Sequence, residues 1–119
     1  MDVYFNPNCG TCRTLRSILE ERGVDANYVG YLERAPSREE IERVMGLLRI
    51  EDPREMMRAG EPVYRELGLD AADRTQLIDA MATHPILIQR PIVIVGDRAV
   101  IARPADRVLE LLESSEQGA

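Results

Sequence analysis

The chain has 119 residues, of which 45% are hydrophobic, and its formal net charge is -6 at pH 7. This length suffices for one hydrophobic core, so we expect a single domain spanning residues 1–119. The acidic balance argues against a protein that binds nucleic acid or a membrane surface. No apolar run approaches the length of a membrane span and no signal-peptide pattern is visible, so we expect a cytoplasmic protein.

The first part of the chain combines a short apolar strand, a turn and a helix that opens with the two cysteines of the protein. Two cysteines this close cannot join distant parts of a fold, so a C-x-x-C pair at a strand-to-helix junction indicates redox chemistry. Cys9 opens the helix, where unpaired backbone N–H groups and the positive end of the helix dipole favour a thiolate. We therefore predict that Cys9 is a reactive nucleophile.

The same helical turn also predicts an anion site. The backbone amides of Gly10, Thr11 and Cys12 would point at whatever lies in front of the Cys9 sulfur. All fifteen cationic side chains of this acidic chain are arginines, whose planar forks suit the binding of oxyanions. A nucleophile beside such a cradle suggests a substrate that is itself a tetrahedral anion.

The remaining elements follow from periodicity and from cap residues. Strands are predicted at residues 3–5, 26–31, 92–95 and 99–102, the last two joined by a tight turn at Gly96 and Asp97. Helices are predicted after Cys9 as far as Gly23, at 37–49, at 52–60, at 61–68, from Asp73 or Thr75 to about residue 84, and from about residue 108. The second strand should run parallel to the first, since a helix crosses between them.

This order of elements is that of a thioredoxin-like α/β fold, a mixed sheet with a helical insertion, here at about residues 33–84 between the second and third strands. Pro91 stands just before the third strand, where this fold carries a cis-proline that faces the reactive cysteine. A cis bond is uncommon before proline in general, so this assignment depends on the fold rather than on the dipeptide.

Three separate segments carry a family resemblance. They are Tyr-Phe-Asn-Pro-Asn-Cys-Gly-Thr near the start, Tyr-Leu-Glu-Arg-Ala-Pro-Ser-Arg-Glu-Glu in the middle, and His-Pro-Ile-Leu-Ile-Gln-Arg-Pro-Ile-Val followed by Ala-Arg-Pro. In this order, and over nearly the whole chain, they resemble the glutaredoxin-coupled arsenate reductases, which act in arsenic resistance.

The resemblance implies specific roles. Cys9 would attack arsenate, and Arg58, Arg90 and Arg103 would bind the oxyanion and stabilise the thiol adduct. A second thiol would then release arsenite, supplied by glutathione with glutaredoxin or by thioredoxin. No metal and no tightly bound cofactor is implied, and we expect a monomer.

Two positions depart from the family pattern, and one histidine needs an interpretation. Phe5 replaces a histidine that many members carry near the cysteine, and Cys12 replaces a serine or another small residue. Cys12 could resolve the Cys9 adduct, or it could be a buried residue that only donates a weak S–H bond to the thiolate. His84, the single histidine, could act as a base, although its place at a helix end is ordinary for a capping residue.

Two other functions stay open. A related family of redox regulators that bind RNA polymerase shares the fold, the C-x-x-C pair and a segment like Arg90-Pro91-Ile92, but it lacks the Arg-Pro found here at Arg103 and Pro104. A general thiol-disulfide oxidoreductase of the same fold is the other alternative. The Arg-Pro after the hairpin favours the arsenate reductase.

Overall fold

The computed structural model describes residues 1–117, with side chains as far as Leu112. The chain forms two compact units. The first joins Met1–Gly30 to the segment from Arg90 onward, and the second is Tyr31–Gln89, which contains the predicted helical segment 33–84. No helix within residues 1–117 is long and apolar enough to cross a membrane.

The first unit contains a four-stranded mixed sheet. Its strands are β1 (Asp2–Tyr4), β2 (Asn27–Val29), β3 (Ile92–Val95) and β4 (Arg98–Ile101), in the order β2-β1-β3-β4. β1 runs parallel to β2, as predicted, and antiparallel to β3, while β3 and β4 form the predicted hairpin. Gly96 has a φ of 58°, which glycine adopts without steric cost in such a turn.

Two helices accompany this sheet, α1 (Gly10–Glu21) and α5 (Val108–Gln117). α1 ends as predicted, since Gly23 has a φ of 66° and the Val24 N–H donates to the Leu19 carbonyl at 2.9 Å. The core of the unit consists of apolar residues that the strands and helices bury completely. They include Val3, Leu15, Leu19, Val93, Ala102 and Val108.

The second unit is helical, with α2 (Arg38–Leu48), α3 (Pro62–Glu66) and α4 (Arg74–Thr83). The Ser37 hydroxyl caps α2 by accepting from the Glu40 N–H at 3.2 Å. α4 begins with a complete capping box, in which Asp73 and Gln76 each accept a backbone N–H from the other, at 2.8 and 2.9 Å. Both helix starts agree with the sequence signals.

The helix predicted at 52–60 is wrong. Only a 3-10 turn forms, at Pro53–Met56, with Asp52 as its cap. The chain then becomes extended at Met57, which pairs with Ile88 in an isolated antiparallel bridge. The Arg58 N–H donates to the Leu87 carbonyl at 2.7 Å. Because this N–H pairs with a distant carbonyl rather than with one a turn earlier, a helix cannot continue here.

Candidate active site

A tight loop between β1 and α1 places the first cysteine. The Asn6 side chain is buried, and its Oδ1 accepts from the Asn8 N–H at 2.9 Å, while the Cys9 N–H donates to the Asn6 carbonyl at 3.0 Å. Asparagine favours such local turns because its side chain can replace a backbone acceptor. From α1, Arg13 Nη1 donates to the Pro7 carbonyl at 2.9 Å. The loop is thus held by the helix that it precedes.

Cys9 is the N-cap residue of α1. Its backbone is extended, with φ -96° and ψ 123°, and its residue surface is 7% exposed. The sulfur makes no regular capping hydrogen bond, but the Cys12 N–H approaches it closely enough to stabilise a thiolate. The predicted position of Cys9, at a helix start with a backbone donor beside the sulfur, is what the structure has.

The pKa of the Cys9 thiol is lowered to about 7. Burial is the largest single influence and raises the pKa, but the Cys12 N–H, the Arg90 guanidinium and the Cys12 thiol together outweigh it. Arg90 acts both as a hydrogen-bond donor to the sulfur and as a positive charge. A large fraction of Cys9 is therefore the nucleophilic thiolate at neutral pH.

Arg90 and Arg103 stand at the open end of the hairpin, before β3 and after β4. Arg103 Nη1 lies 3.9 Å from Cys9 Sγ, at the outer limit of a hydrogen bond to sulfur, and also donates to the Arg90 carbonyl at 3.0 Å. Arg90, and not Arg103, is the arginine that lowers the Cys9 pKa, so Arg90 has the larger effect on the thiolate. The structure thus brings both predicted arginines to the cysteine.

Both Arg-Pro bonds at this end of the hairpin are cis. A cis bond before Pro91 was expected from the fold assignment. The cis bond between Arg103 and Pro104 was not predicted. The Ala102 N–H donates to the Pro91 carbonyl at 2.9 Å and extends the pairing of the two strands toward the cysteine. These contacts set where the two arginine side chains begin.

Cys12 lies in the first turn of α1 and is fully buried among the core residues. Its pKa is raised to about 11, because burial outweighs the lowering by the Asn6 N–H, while the hydrogen bond and negative charge of Cys9 raise it further and Arg90 lowers it slightly. The two thiols are free rather than joined in a disulfide. Cys12 is therefore a neutral thiol beside a thiolate.

Arg58 and His84 belong to the helical unit. Arg58 Nε is 3.1 Å from Glu61 Oε1 in an ion pair whose side chains are about one quarter exposed (24% and 22%). His84 ends α4, donates its N–H to the Ala80 carbonyl at 2.7 Å, and borders a cavity of about 540 Å³ beside Leu67. The predicted role of Arg58 in oxyanion binding stays a prediction.

Two contacts that position the site were not predicted. The turn at Asn6 was predicted, but not its closure by the Asn6 side chain, which the Asn-Pro-Asn pattern could have indicated, since asparagine is typical of turns closed by a side chain. The Arg13 bond to the Pro7 carbonyl has no comparable local signal. Among the side chains of residues 1–112, no three His, Cys, Asp or Glu group so that they could hold a metal ion.

The fold and site define a class of protein, a thioredoxin-like α/β protein with an activated thiolate beside two guanidinium groups. Such a site can form a covalent bond to an electrophilic centre that carries negative oxygens. The model of the ArsC family matches residues 4–111. This chain belongs to the ArsC family, which confirms the resemblance found in its sequence.

Individual relatives cover most of the chain. The arsenate reductase of Haemophilus influenzae is 40% identical over 112 residues, 92% of this chain and 97% of that protein. The arsenate reductase of Escherichia coli K12 is 37% identical over 119 residues, 98% of this chain and 84% of that protein. A solved structure, the arsenate reductase from Vibrio cholerae, superposes with a TM-score of 0.88 at 40% identity, covering 92% of this chain and 97% of that one. The predicted thioredoxin-like fold class is confirmed.

Proposed function

We propose that this protein is an arsenate reductase that uses the Cys9 thiolate as its nucleophile. The observation that carries the proposal is the convergence of Arg90 and Arg103 on Cys9, whose pKa is lowered to about 7. A thiolate flanked by two guanidinium groups suits a tetrahedral oxyanion better than a neutral disulfide. Family membership and arsenate reductases at 37–40% identity support the same function.

The first step is attack of the Cys9 sulfur on arsenic(V). A sulfur–arsenic bond forms, an arsenic–oxygen bond breaks, and the leaving oxygen takes up a proton and departs as water. No general base on the protein is needed, because the nucleophile is already ionised. His84 therefore has no role in this step.

The cationic groups lower the barrier of this step. Arsenate carries negative charge, and charge shifts among its oxygens as the sulfur bond forms. Arg90 and Arg103 neutralise that charge, and the amides of Gly10, Thr11 and Cys12 bind one of the oxygens at the positive end of α1. Arg58 is the third arginine of the family pattern and would complete the set.

The second step transfers two electrons to arsenic. A thiol attacks the Cys9 sulfur, the sulfur–arsenic bond breaks with its electron pair on arsenic, and arsenite leaves. Glutathione with glutaredoxin, or thioredoxin, then returns the protein to its reduced form. Both donors belong to a reducing cytoplasm, and no metal or organic cofactor takes part. A monomer holds Cys9 and the two hairpin arginines within its own first unit.

The test is arsenite formation by the purified protein, supplied in parallel with glutathione and glutaredoxin and with thioredoxin and its reductase. We expect arsenite in at least one arm, and none from Cys9→Ser in either. Reduction of a small disulfide without any reduction of arsenate would instead identify a general thiol-disulfide oxidoreductase. Binding of RNA polymerase with no activity in either arm would identify a regulator.

A further inference from the structure

We propose that Cys12 resolves the Cys9 adduct within the protein, so that the catalytic cycle passes through an intramolecular Cys9–Cys12 disulfide. This inference rests on the proposed function, because the adduct that it resolves is the thiol-arsenate formed at Cys9. It assigns to the protein itself the second thiol that the family's glutaredoxin-coupled cycle takes from outside.

The geometry of α1 brings the two sulfurs together. Cys9 is the N-cap residue and Cys12 stands three residues later in the first turn, so both sulfurs lie on one side of the helix start. Both cysteines belong to the same buried core cluster, and the Cys12 thiol is among the groups that lower the Cys9 pKa, so the two thiols interact. Residues three apart at a helix start have the Cα separation that a disulfide requires.

Local backbone structure also allows the bond to form. Cys9 has an extended backbone rather than a helical one, with φ -96° and ψ 123°. Rotation about the Cα–Cβ bond of Cys9 changes the position of its sulfur without moving the backbone, so the hydrogen bond from the Arg13 N–H to the Cys9 carbonyl stays in place. Because Cys12 is fully buried, an external thiol cannot reach it first, and its natural partner is the adjacent sulfur.

Adduct formation removes the thiolate charge from the sulfur beside Cys12. In the free protein, burial first and then the Cys9 thiolate hold the pKa of Cys12 at about 11. When Cys9 is bonded to arsenic, its sulfur no longer carries the negative charge, which moves to the arsenic oxygens in front of Arg90 and Arg103, while the Asn6 N–H still favours a Cys12 thiolate.

The step balances in atoms and electrons. Cys12 sulfur attacks Cys9 sulfur, a sulfur–sulfur bond forms, and the sulfur–arsenic bond breaks with its electron pair on arsenic. The Cys12 proton passes to an oxygen of the departing arsenic group. Arsenic(V) becomes arsenic(III), and two thiols become one disulfide, which thioredoxin or glutaredoxin then reduces.

The experiment is a single turnover of the reduced protein with arsenate and no added thiol, followed by mass spectrometry and arsenite determination. We expect the native protein to form one arsenite and to lose the mass of two hydrogen atoms, with a peptide map that joins Cys9 to Cys12. Cys12→Ser keeps a hydrogen-bond donor beside Cys9 but cannot form the disulfide. It should retain arsenic as the adduct and release at least about tenfold less arsenite.

Cys12→Ala serves as a second variant in case a buried serine perturbs the fold, and it should behave as Cys12→Ser does. Arsenite production with glutathione and glutaredoxin, but no disulfide in the native protein and equal single-turnover yields in all three proteins, overturns the inference and leaves the proposed function intact. No arsenite with any donor overturns both. Oxidation by diamide then reports separately whether the two sulfurs can join.

Discussion

Cys9 and Arg103 are 94 residues apart in the chain, yet Arg103 Nη1 lies 3.9 Å from Cys9 Sγ. The same nitrogen donates to the Arg90 carbonyl at 3.0 Å. A carbonyl is a neutral acceptor, so this bond orients the guanidinium without cancelling its positive charge. Arg103 is therefore held ready for an anion in front of the thiolate.

We expect Arg103→Ala to lower kcat/KM for arsenate by at least about tenfold, because the charge that develops on the arsenic oxygens loses a partner. Arg103→Lys should recover only part of the loss, since an ammonium group lacks the planar fork. Steady-state kinetics with a saturating thiol donor measure both effects.

Arg98→Ala is the matched control for that experiment. Arg98 lies on the same hairpin, at the start of β4, and is exposed. Removing it changes the net charge by the same amount and should leave kcat/KM nearly unchanged. Equal losses in the two alanine variants would mean a general charge effect rather than a bound oxyanion, and no loss in either would remove Arg103 from the site.

A second prediction separates the two hairpin arginines. Arg90, through its hydrogen bond and its charge, lowers the pKa of Cys9, so Arg90→Gln should raise that pKa clearly above about 7. Arg103→Ala should raise it less, because Arg103 is not among the groups that lower the Cys9 pKa. The rate of alkylation by iodoacetamide as a function of pH, in a Cys12→Ser background, gives the pKa of each variant. A larger shift for Arg103→Ala would reverse the assignment.

Local patterns predicted most of the fold. The first helix, the parallel pairing of β1 with β2, and the Gly96-Asp97 hairpin each depend on signals within a short stretch of sequence. The start of α4 was predicted at Asp73 or Thr75, and the capping box of Asp73 and Gln76 places it at Asp73. In each of these elements the residues that specify the structure are neighbours in the chain.

The helix predicted at 52–60 does not form, because a residue far along the chain determines the conformation there. Asp52 and Pro53 are good helix-start residues and do begin a turn. The turn stops because Met57 pairs with Ile88, which lies far along the sequence. The residues near Met57 show no pattern that would indicate this pairing. Tertiary pairing overrides local propensity there, and a single sequence does not reveal such a pairing.

The active-site residues also differ in whether local sequence predicts them. Cys9 could be predicted from chemistry alone, because a strand, a turn and a helix start are all local. Arg90 and Arg103 are two of fifteen arginines, and no neighbouring residue distinguishes them from the others. Only the family resemblance assigned them to the site. Their approach to Cys9 depends on the pairing of β3 with β1, which is a long-range contact.

A third prediction concerns the stability of the helical unit. Arg54 Nη2 donates to the carbonyls of Leu69, Asp70 and Ala72 at 2.8, 3.2 and 2.8 Å. Arg54→Ala should lower the free energy of unfolding by about 2 kcal/mol, because a charged donor to three carbonyls is lost and only the Leu69 carbonyl keeps another donor, the Ala72 N–H. Urea denaturation measures the loss.

Arg43→Ala, on the exposed face of α2, is the control and should change stability by less than about 0.5 kcal/mol. Arg54→Lys should restore only part of the stability, since one ammonium group cannot reproduce the reach of the guanidinium to three carbonyls. If Arg54→Ala and Arg43→Ala are equally stable, the three hydrogen bonds contribute nothing net.

The last prediction links the Cys9 thiolate to stability and pH. The comparison is between Cys12→Ser and the double variant Cys9→Ser/Cys12→Ser, so that only Cys9 titrates as a thiol. The folded pKa is about 7, below the value of about 8.5 expected in the unfolded chain. As pH rises from about 7 to about 8.5, the folded protein has lost the Cys9 proton while the unfolded chain still holds it.

The stability that Cys9 contributes should therefore grow over that interval, level off above about pH 8.5, and be lost as pH falls through about 7. A difference of about 1.5 pKa units corresponds to on the order of 2 kcal/mol. Urea denaturation of both proteins at pH 6, 7, 8 and 9 measures the difference in unfolding free energy at each pH. A difference that stays flat, or that shrinks as pH rises, would show that the folded protein does not favour the thiolate, and the nucleophile would then need a base to activate it.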